Sequence, residues 1–201
     1  MTGKAVHDNI LSIMNDAKLD RKKLVLTDGR ITLRPYRKSD ADQTYKAIRE
    51  SMAEMSPWLP FAHESYSIRE SRDWIKQRPQ EWKRGTSYEF AILDAKDGTI
   101  VGGCGLNGVD RINRRANLGY WVRTSRMGQG VAPAATILLA KWGFEALKLL
   151  RIEIGVAVEN TRSLRVVEKV GAKREGVLRN RIMIRDKTHD AVMHSLIPGE
   201  V

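Results

Sequence analysis

Between the strand-like run LGYWV and the helix-like run VAPAATILLAKWGFEAL the chain reads RTSRMGQG, with glycines at positions 128 and 130. Glycine lets a backbone turn tightly and come close to a ligand. The first amides of the helix that follows have no intrahelical acceptor and sit at its positive end. A junction of this kind can cradle a phosphate or pyrophosphate. Pro133 carries no N–H, so the donors must be the amides of Gly128, Gln129, Gly130, Val131 and Ala132. The run is not a P-loop, because no Gly-Lys-Ser/Thr follows, and it lacks the Gly-x-Gly-x-x-Gly spacing of a dinucleotide fold. Two glycines between a strand and a helix also occur for turn geometry alone, so other spacings must decide whether a ligand binds.

About thirty residues later, VENTRSLRVVEKVG places Asn160 and Ser163 at the head of a short helix that Gly171 closes. By residue type these are a helix N-cap and a first-turn position. The single cysteine, Cys104 in VGGCGL, excludes an internal disulfide and reads as a small buried hydrophobe. The four histidines show no paired metal-ligand spacing, so no metal is expected.

The elements that must position these residues follow from periodicity. ITLRPY is a strand, DADQTYKAIRES and IRESRDWIKQRPQEW are helices, and the irregular MSPWLPFAH lies between those helices. SYEFAIL, TIVGGCGL and RANLGYWV are β-runs joined by the turns DAKDG and NGVDRIN, an antiparallel meander. The helix VAPAATILLAKWGFEAL, the strand RIEIGVAV, the helix TRSLRVVEKV and the strands AKREGVLRNRIMI and DAVMHSLI complete the chain. The order β-α-α-β-β-β-α-β-α-β-β predicts an α+β fold: a mixed, mostly antiparallel sheet of about six or seven strands with helices on both faces. Residues 1–23 form an N-terminal extension in which DNILSIMNDAKL has helical spacing, and 24–201 form one domain.

With 201 residues, 42% hydrophobic and 29% charged, the chain can close one sizeable core. No run approaches the roughly eighteen apolar residues of a membrane span, and no secretory signal is visible, so a cytoplasmic protein is expected. The net charge of +11 favours anionic partners without choosing among nucleic acid, ribosome, acidic peptide and phosphorylated cofactor. Nine basic against three acidic residues from Arg162 to Lys187 could attract phosphates, and are equally what a solvated face looks like.

GYWVRTSRMGQGVA resembles the acyl-CoA-binding motif of GNAT acetyltransferases, with Gly130 and Ala132 on the small-residue positions. VENTRSLRVVEKVGAKREGVLR is similar to the second block of that family. Asn160, Ser163, Gly171, Glu175 and Gly176, with WLP at 58–60 and GYWV at 119–122, resemble the Rim-type branch that acetylates ribosomal-protein N-termini. The resemblance runs from about Arg30 to Ile197. It implies an acetyl-CoA-dependent N-acetyltransferase in which the strand GYWV splays from RIEIGVAV and the pantetheine arm lies in the gap. A backbone amide near Trp121 or Val122 would polarise the acetyl carbonyl, Met127 to Ala132 would hold the pyrophosphate, Asn160 would bond the pantetheine, and Ser163 would lie at the sulfur as the catalytic hydroxyl.

The chain departs from the family pattern at several of its positions. Met127 stands where Gln or Arg is usual, Asn117 where Rim-type chains often carry Glu, Val167 where many relatives have a catalytic Tyr, and Ile182 about where some have a carboxylate. The usual general-base assignments therefore do not transfer. An α-amine, with a pKa of about 7.7–8.0, needs less help to lose its proton than a lysine at about 10.4. The expected acceptor is a protein N-terminal α-amine, with a ribosomal protein among the candidates. A small-molecule amine, or a silent acyl-CoA-binding regulatory module, is the alternative.

Trp58 and Phe61 are read evenly as acceptor-cleft or core-capping residues, and His63 as a surface histidine. Glu89 is read as a solvent-facing strand residue rather than one facing the acceptor. No membrane and no direct nucleic-acid partner is expected, and a homodimer is an open oligomeric state.

Overall fold

The structure, a computed structural model, describes residues 20–201. The helix expected within DNILSIMNDAKL lies outside the described residues. Among the described residues, eight strands, five α-helices and two short 3-10 turns follow one another. Strands β1 (Leu26–Thr27) and β2 (Ile31–Pro35) come first. Helices α1 (Ala41–Glu50), α2 (Met52–Met55) and α3 (Ile68–Arg84) precede the meander β3 (Ser87–Asp94), β4 (Ile100–Asp110) and β5 (Arg115–Val122). Then come α4 (Val131–Ala146), β6 (Arg151–Ala157), α5 (Thr161–Lys169), β7 (Lys173–Ile184) and β8 (Lys187–Leu196).

All eight strands join one sheet in the order β1-β2-β3-β4-β5-β6-β8-β7. The count exceeds the expected six or seven because the two-residue β1 pairs with β2 at Leu26↔Leu33 and Thr27↔Thr32. So short a run carries no readable period. Strand β4 also continues to Asp110 through residues expected as a turn. A bulge there, with Gly108 at φ 57°, lets the ladder resume at Asp110↔Arg115.

Every neighbouring pair is antiparallel except β5 and β6, which α4 connects as a parallel crossover. Alternation along β3 divides the molecule into two layers. Tyr88, Phe90 and Ile92 face the principal core, which includes Ala135, Leu139 and Trp142 of α4 and Val167 of α5. Trp82, Tyr88, Phe90 and Trp142 meet there at 5.0–5.7 Å, edge to face except for the tilted Trp82–Trp142 pair. Ala91 and Leu93 point the other way, into a second cluster with Tyr36, Ala41 and Ile75 of the α1–α3 layer. Helices therefore cover both faces, and the β5–β6 junction lies between the layers.

Helix α3 starts with a capping box, in which Ser67 and Glu70 satisfy each other's neighbouring amides. It ends at Gly85 in the left-handed conformation. Its C-terminus therefore leads directly into β3.

Candidate active site

Strands β5 and β6 share only three rungs, Arg115↔Arg151, Ala116↔Ile152 and Asn117↔Glu153. Beyond Asn117 the two strands part. β5 stays paired with β4 as far as Val122↔Gly102, and β6 stays paired with β8 as far as Ala157↔Ala191. A wedge thus opens in the middle of the sheet. Arg123 N–H donates to the Val101 carbonyl at 2.9 Å. Because antiparallel ladders alternate, Trp121 and Gly119 turn their amides to β4, while Tyr120 and Val122, beyond the last rung at Asn117↔Glu153, turn theirs into the wedge. Of the two amides expected near the reacting carbonyl, Val122's points into the gap and Trp121's does not.

The wedge leads to the glycine junction. Met127 N–H closes on the Thr124 carbonyl at 3.1 Å, and the first bond of α4 runs from Ala134 N–H to the Gly130 carbonyl at 3.1 Å. Between them, the amides of Gly128, Gln129, Gly130, Val131 and Ala132 donate to no backbone carbonyl outside the helix among the described residues. Gly128 and Gly130 have φ of 76° and 78°, and no heavy atom stands within 4 Å of a Cβ built on Gly128. The cradle is open, and its turn needs glycine at both places.

Two guanidinium groups stand beside it. Arg162 Nη1 lies 3.7 Å from Met127 Sδ, and Arg30 Nη1 lies 3.8 Å from the position of a Gly130 Cβ. Arg162 was visible in the basic run after residue 161, but nothing local indicated where it would reach.

The loop before the cradle is held from the other layer. Arg123 pairs with Glu50, Ser125 N–H donates to Glu50 at 3.1 Å, and Thr124 N–H donates to Ser51 Oγ at 2.9 Å. Hydrogen bonds from Arg123 hold the Glu50 carboxyl down at about 2.

Asn160 caps α5, its side-chain oxygen accepting from Ser163 N–H at 3.1 Å. That cap uses only one end of the amide. Ser163 Oγ lies 2.8 Å from the Tyr120 hydroxyl, a contact that spans the wedge. Burial pushes the Tyr120 phenol up to about 12, so it stays protonated at all ordinary pH. Tyr120 supplies a second hydroxyl from the neighbouring strand. Val167, at the position of the absent tyrosine, is fully buried in the principal core.

The opposite face of the sheet carries polar groups in register. Ser87, Asn107, Asn117 and Glu153 form one row across β3 to β6, and Glu89, Gly105 and Gly119 form the next. Asn117 Nδ2 donates to Asn107 Oδ1 at 3.1 Å. A cleft of about 490 Å³ opens here, lined among others by Asn107, Arg115, Asn117, Glu153, Arg181 and Ile182. Arg151 joins Glu153 at 2.9 Å and pairs with Glu175, whose carboxyl its hydrogen bonds hold at about 2.

Glu89, read as solvent-facing, is half-buried. Its side chain lies across Gly105, burial pushes its carboxyl up, and one hydrogen bond, from Ser87 Oγ at 2.9 Å, reaches it. Phe61 is exposed, whereas Leu59, two residues earlier, packs with Trp121 against the cluster of Ile48, Met55, Ala62 and Tyr66. His63 is tied to Glu70 at 2.8 Å and Ser65 at 3.0 Å. Cys104 is buried, as expected, and its thiol is raised by that burial. Among the described residues no cluster of three or more His, Cys, Asp or Glu could hold a metal, and no helix is long and apolar enough to cross a membrane.

The family profile described as an Acetyltransferase (GNAT) domain matches residues 30–173. Over 174 residues the chain is 32% identical to YdaF of Bacillus subtilis (strain 168), provisionally named a ribosomal N-acetyltransferase, covering 85% of this chain and 92% of that protein. It is 26% identical over 131 residues to the ribosomal-protein-serine acetyltransferase of Escherichia coli (strain K12), covering 65% and 72% of the two chains. Among solved structures, Mycobacterium smegmatis RimJ in complex with CoA-disulfide has a TM-score of 0.78 at 28% identity, covering 88% of this chain and 87% of that one. An unpaired strand wedge, an open amide cradle at the head of α4 and a family match across both make this chain an N-acetyltransferase belonging to the GNAT acetyltransferase family.

Proposed function

We propose that this enzyme takes acetyl from acetyl-CoA and transfers it directly to the α-amine of a protein N-terminus, with ribosomal proteins as the acceptor class. The observation that carries this reading is the wedge between β5 and β6, which joins the amide cradle on one side to the polar cleft on the other. The relatives' names point to the same acceptor class.

In this reading the amides of Gly128 to Ala132 hold the pyrophosphate, with Met127 contributing main chain only. The unpaired main chain of Tyr120 and Val122, together with the free end of the Asn160 amide, binds the pantetheine. Val122 N–H donates to the thioester oxygen, which gains charge as the amine attacks. Ser163, backed by the Tyr120 hydroxyl, stands at the sulfur and gives the departing thiolate its proton. The cleft around Asn107 and Asn117 takes the first residues of the acceptor. Such an enzyme works in the cytoplasm, where ribosomal proteins are made.

CoA release should be measured against peptides with free N-termini, the same peptides blocked at the N-terminus but carrying lysine, and a panel of small amines. Turnover of the free N-termini alone is the expected result. Turnover restricted to small amines would overturn the acceptor assignment, and acetyl-CoA binding without turnover of anything would make the chain a silent acyl-CoA-binding module.

A further inference from the structure

The family's usual proton acceptors are missing from this chain at Asn117 and Ile182, yet the acceptor face holds a carboxylate on a different strand. Three glycines, Gly103, Gly105 and Gly119, hollow out the middle of that face. A Cβ on Gly105 would stand 2.0 Å from Glu89 Oε2, and a Cβ on Gly103 would stand 2.3 Å from the Tyr36 hydroxyl and 2.5 Å from Trp121 Nε1. Over Gly119 the space is open, the nearest atom being Asn107 Nδ2 at 3.8 Å. The first two glycines therefore admit three polar tips onto the floor of the sheet. The third leaves room beside them.

These tips are underused by the fold. Ser87 Oγ donates to Glu89 Oε1, and no described residue donates to Oε2. The Tyr36 hydroxyl is buried without a hydrogen-bond partner, on a side chain 1% exposed. The buried, unpaired Tyr36 hydroxyl costs stability, and half-buried Glu89 keeps one carboxylate oxygen clear of every described donor. Groups arranged this way are held for a ligand. Gly119 pairs with Gly105 on the adjacent strand, about 4.8 Å away, so an amine placed over Gly119 is within reach of Glu89 directly or through one water. Gly119 also lies on β5 three residues before Val122, on the strand that borders the wedge.

Resting on the reading that the acceptor is an ammonium group, we propose that Glu89 is the catalytic base of this enzyme, receiving the acceptor over Gly119, with the Tyr36 hydroxyl and Trp121 indole N–H as the neutral wall of the site. The acceptor arrives as R–NH3+ and gives one proton to the Glu89 carboxylate, becoming R–NH2. The nitrogen lone pair forms the C–N bond to the thioester carbon and the C–S bond breaks. The thiolate leaves with the sulfur electron pair and is protonated from the Ser163 side, the second nitrogen proton making good that loss through solvent. Glu89 then returns its proton to water, so the sum is ammonium plus thioester to amide, thiol and one proton.

A carboxyl pushed up by burial holds that proton better than an exposed one would, which suits it to the task. The charged and titratable groups around it are Arg78 and Glu81 of α3, Cys104 of β4 and Tyr36 just past β2. Arg78 is committed to Glu81, at 2.6 Å, and Trp74 rather than to Glu89.

The test compares the full-length enzyme with Glu89→Gln and Glu89→Asp across pH 6 to 9.5, on whichever amine the wild type turns over. Acetyl-CoA affinity is measured by calorimetry alongside. The expected result for Glu89→Gln is unchanged acetyl-CoA affinity and a loss in kcat/KM of about 10²-fold near pH 6.5. That loss should shrink as pH passes the acceptor's own pKa, because a free amine needs no base. Glu89→Asp should recover part of the rate.

Wild-type kcat/KM in Glu89→Gln near pH 6.5, or an equal loss at every pH, overturns the proposal, as does loss of acetyl-CoA binding in both variants. The acceptor class is read separately, from the wild type alone. If only small amines react, the N-terminal reading fails while Glu89 is still judged by the ratio of variant to wild type. If no amine reacts, both readings fail.

Discussion

The Tyr120 hydroxyl on β5 lies 2.8 Å from the Ser163 hydroxyl on α5, closing a bond across the wedge between β5 and β6. Neither residue is near the other in sequence, and each alone reads as ordinary. Together they bring two hydroxyls to the place where, in the proposed mechanism, the sulfur leaves. The Tyr120 phenol, pushed up to about 12, is a proton donor throughout the working range.

Ser163→Ala should lower kcat by about 10²-fold with little change in acetyl-CoA affinity, the low end for loss of acid catalysis. Tyr120→Phe should lower it too, and the double variant should lose less than the product of the two, because both act on one proton. Since the phenol titrates at about 12, the Tyr120→Phe loss should be the same from pH 6 to 9. Steady-state kinetics of the three variants checks this. Normal kcat with weakened binding would make Ser163 a pantetheine contact instead.

Gly130→Ala should weaken acetyl-CoA at least tenfold by calorimetric titration. The left-handed backbone at φ 78° resists any side chain, and the cradle amides lose their aim when it shifts. The strain also costs stability, on the order of 1 kcal/mol or more. Gly98→Ala is the control. Its φ of 73° imposes similar strain, nothing lies within 4 Å, and it sits in the β3–β4 turn, so Tm should fall with acetyl-CoA affinity intact.

Arg162→Ala should weaken acetyl-CoA at low salt and flatten the dependence of affinity on ionic strength. The guanidinium beside Met127 is exposed, and its attraction to phosphate is screened over a Debye length of about 10 Å at 0.1 M. Titration at several salt concentrations is the measurement. A wild type with no salt dependence would leave the amides alone to bind the phosphates.

Glu89→Gln should raise Tm at neutral pH even as it costs rate. Burial raises the folded carboxyl above its unfolded value, so the folded state binds the proton more tightly. The associated stability is fully present below the unfolded pKa and is lost as pH rises through the folded one. The difference in Tm between variant and wild type should therefore be largest at neutral pH and narrow as pH falls toward 4. Taking the difference cancels Glu50 and Glu175, whose carboxyls are lowered and titrate in the opposite sense. A gap that stays constant with pH would contradict the burial argument.

The order of elements, the cradle at Gly128 and Gly130, and the Asn160 cap were legible in the sequence because each depends on residues close together in the chain. Periods of two and 3.6, a positive φ that calls for glycine, and a cap three residues from the amide it serves are all local. The eighth strand was not legible, since two residues carry no period. Tertiary structure alone decided the chemistry between elements.

The wedge exists because β6 leaves β5 after Glu153 and continues on β8, a choice of partner that neither strand's own residues encode. Tyr120 meets Ser163 across 43 residues of chain, and Arg162 reaches Met127 across 35. Glu89 alternates with apolar residues like any surface glutamate. What draws it onto the sheet is the side chain missing at Gly105, on the strand beside it, where an absent Cβ makes room for a carboxylate.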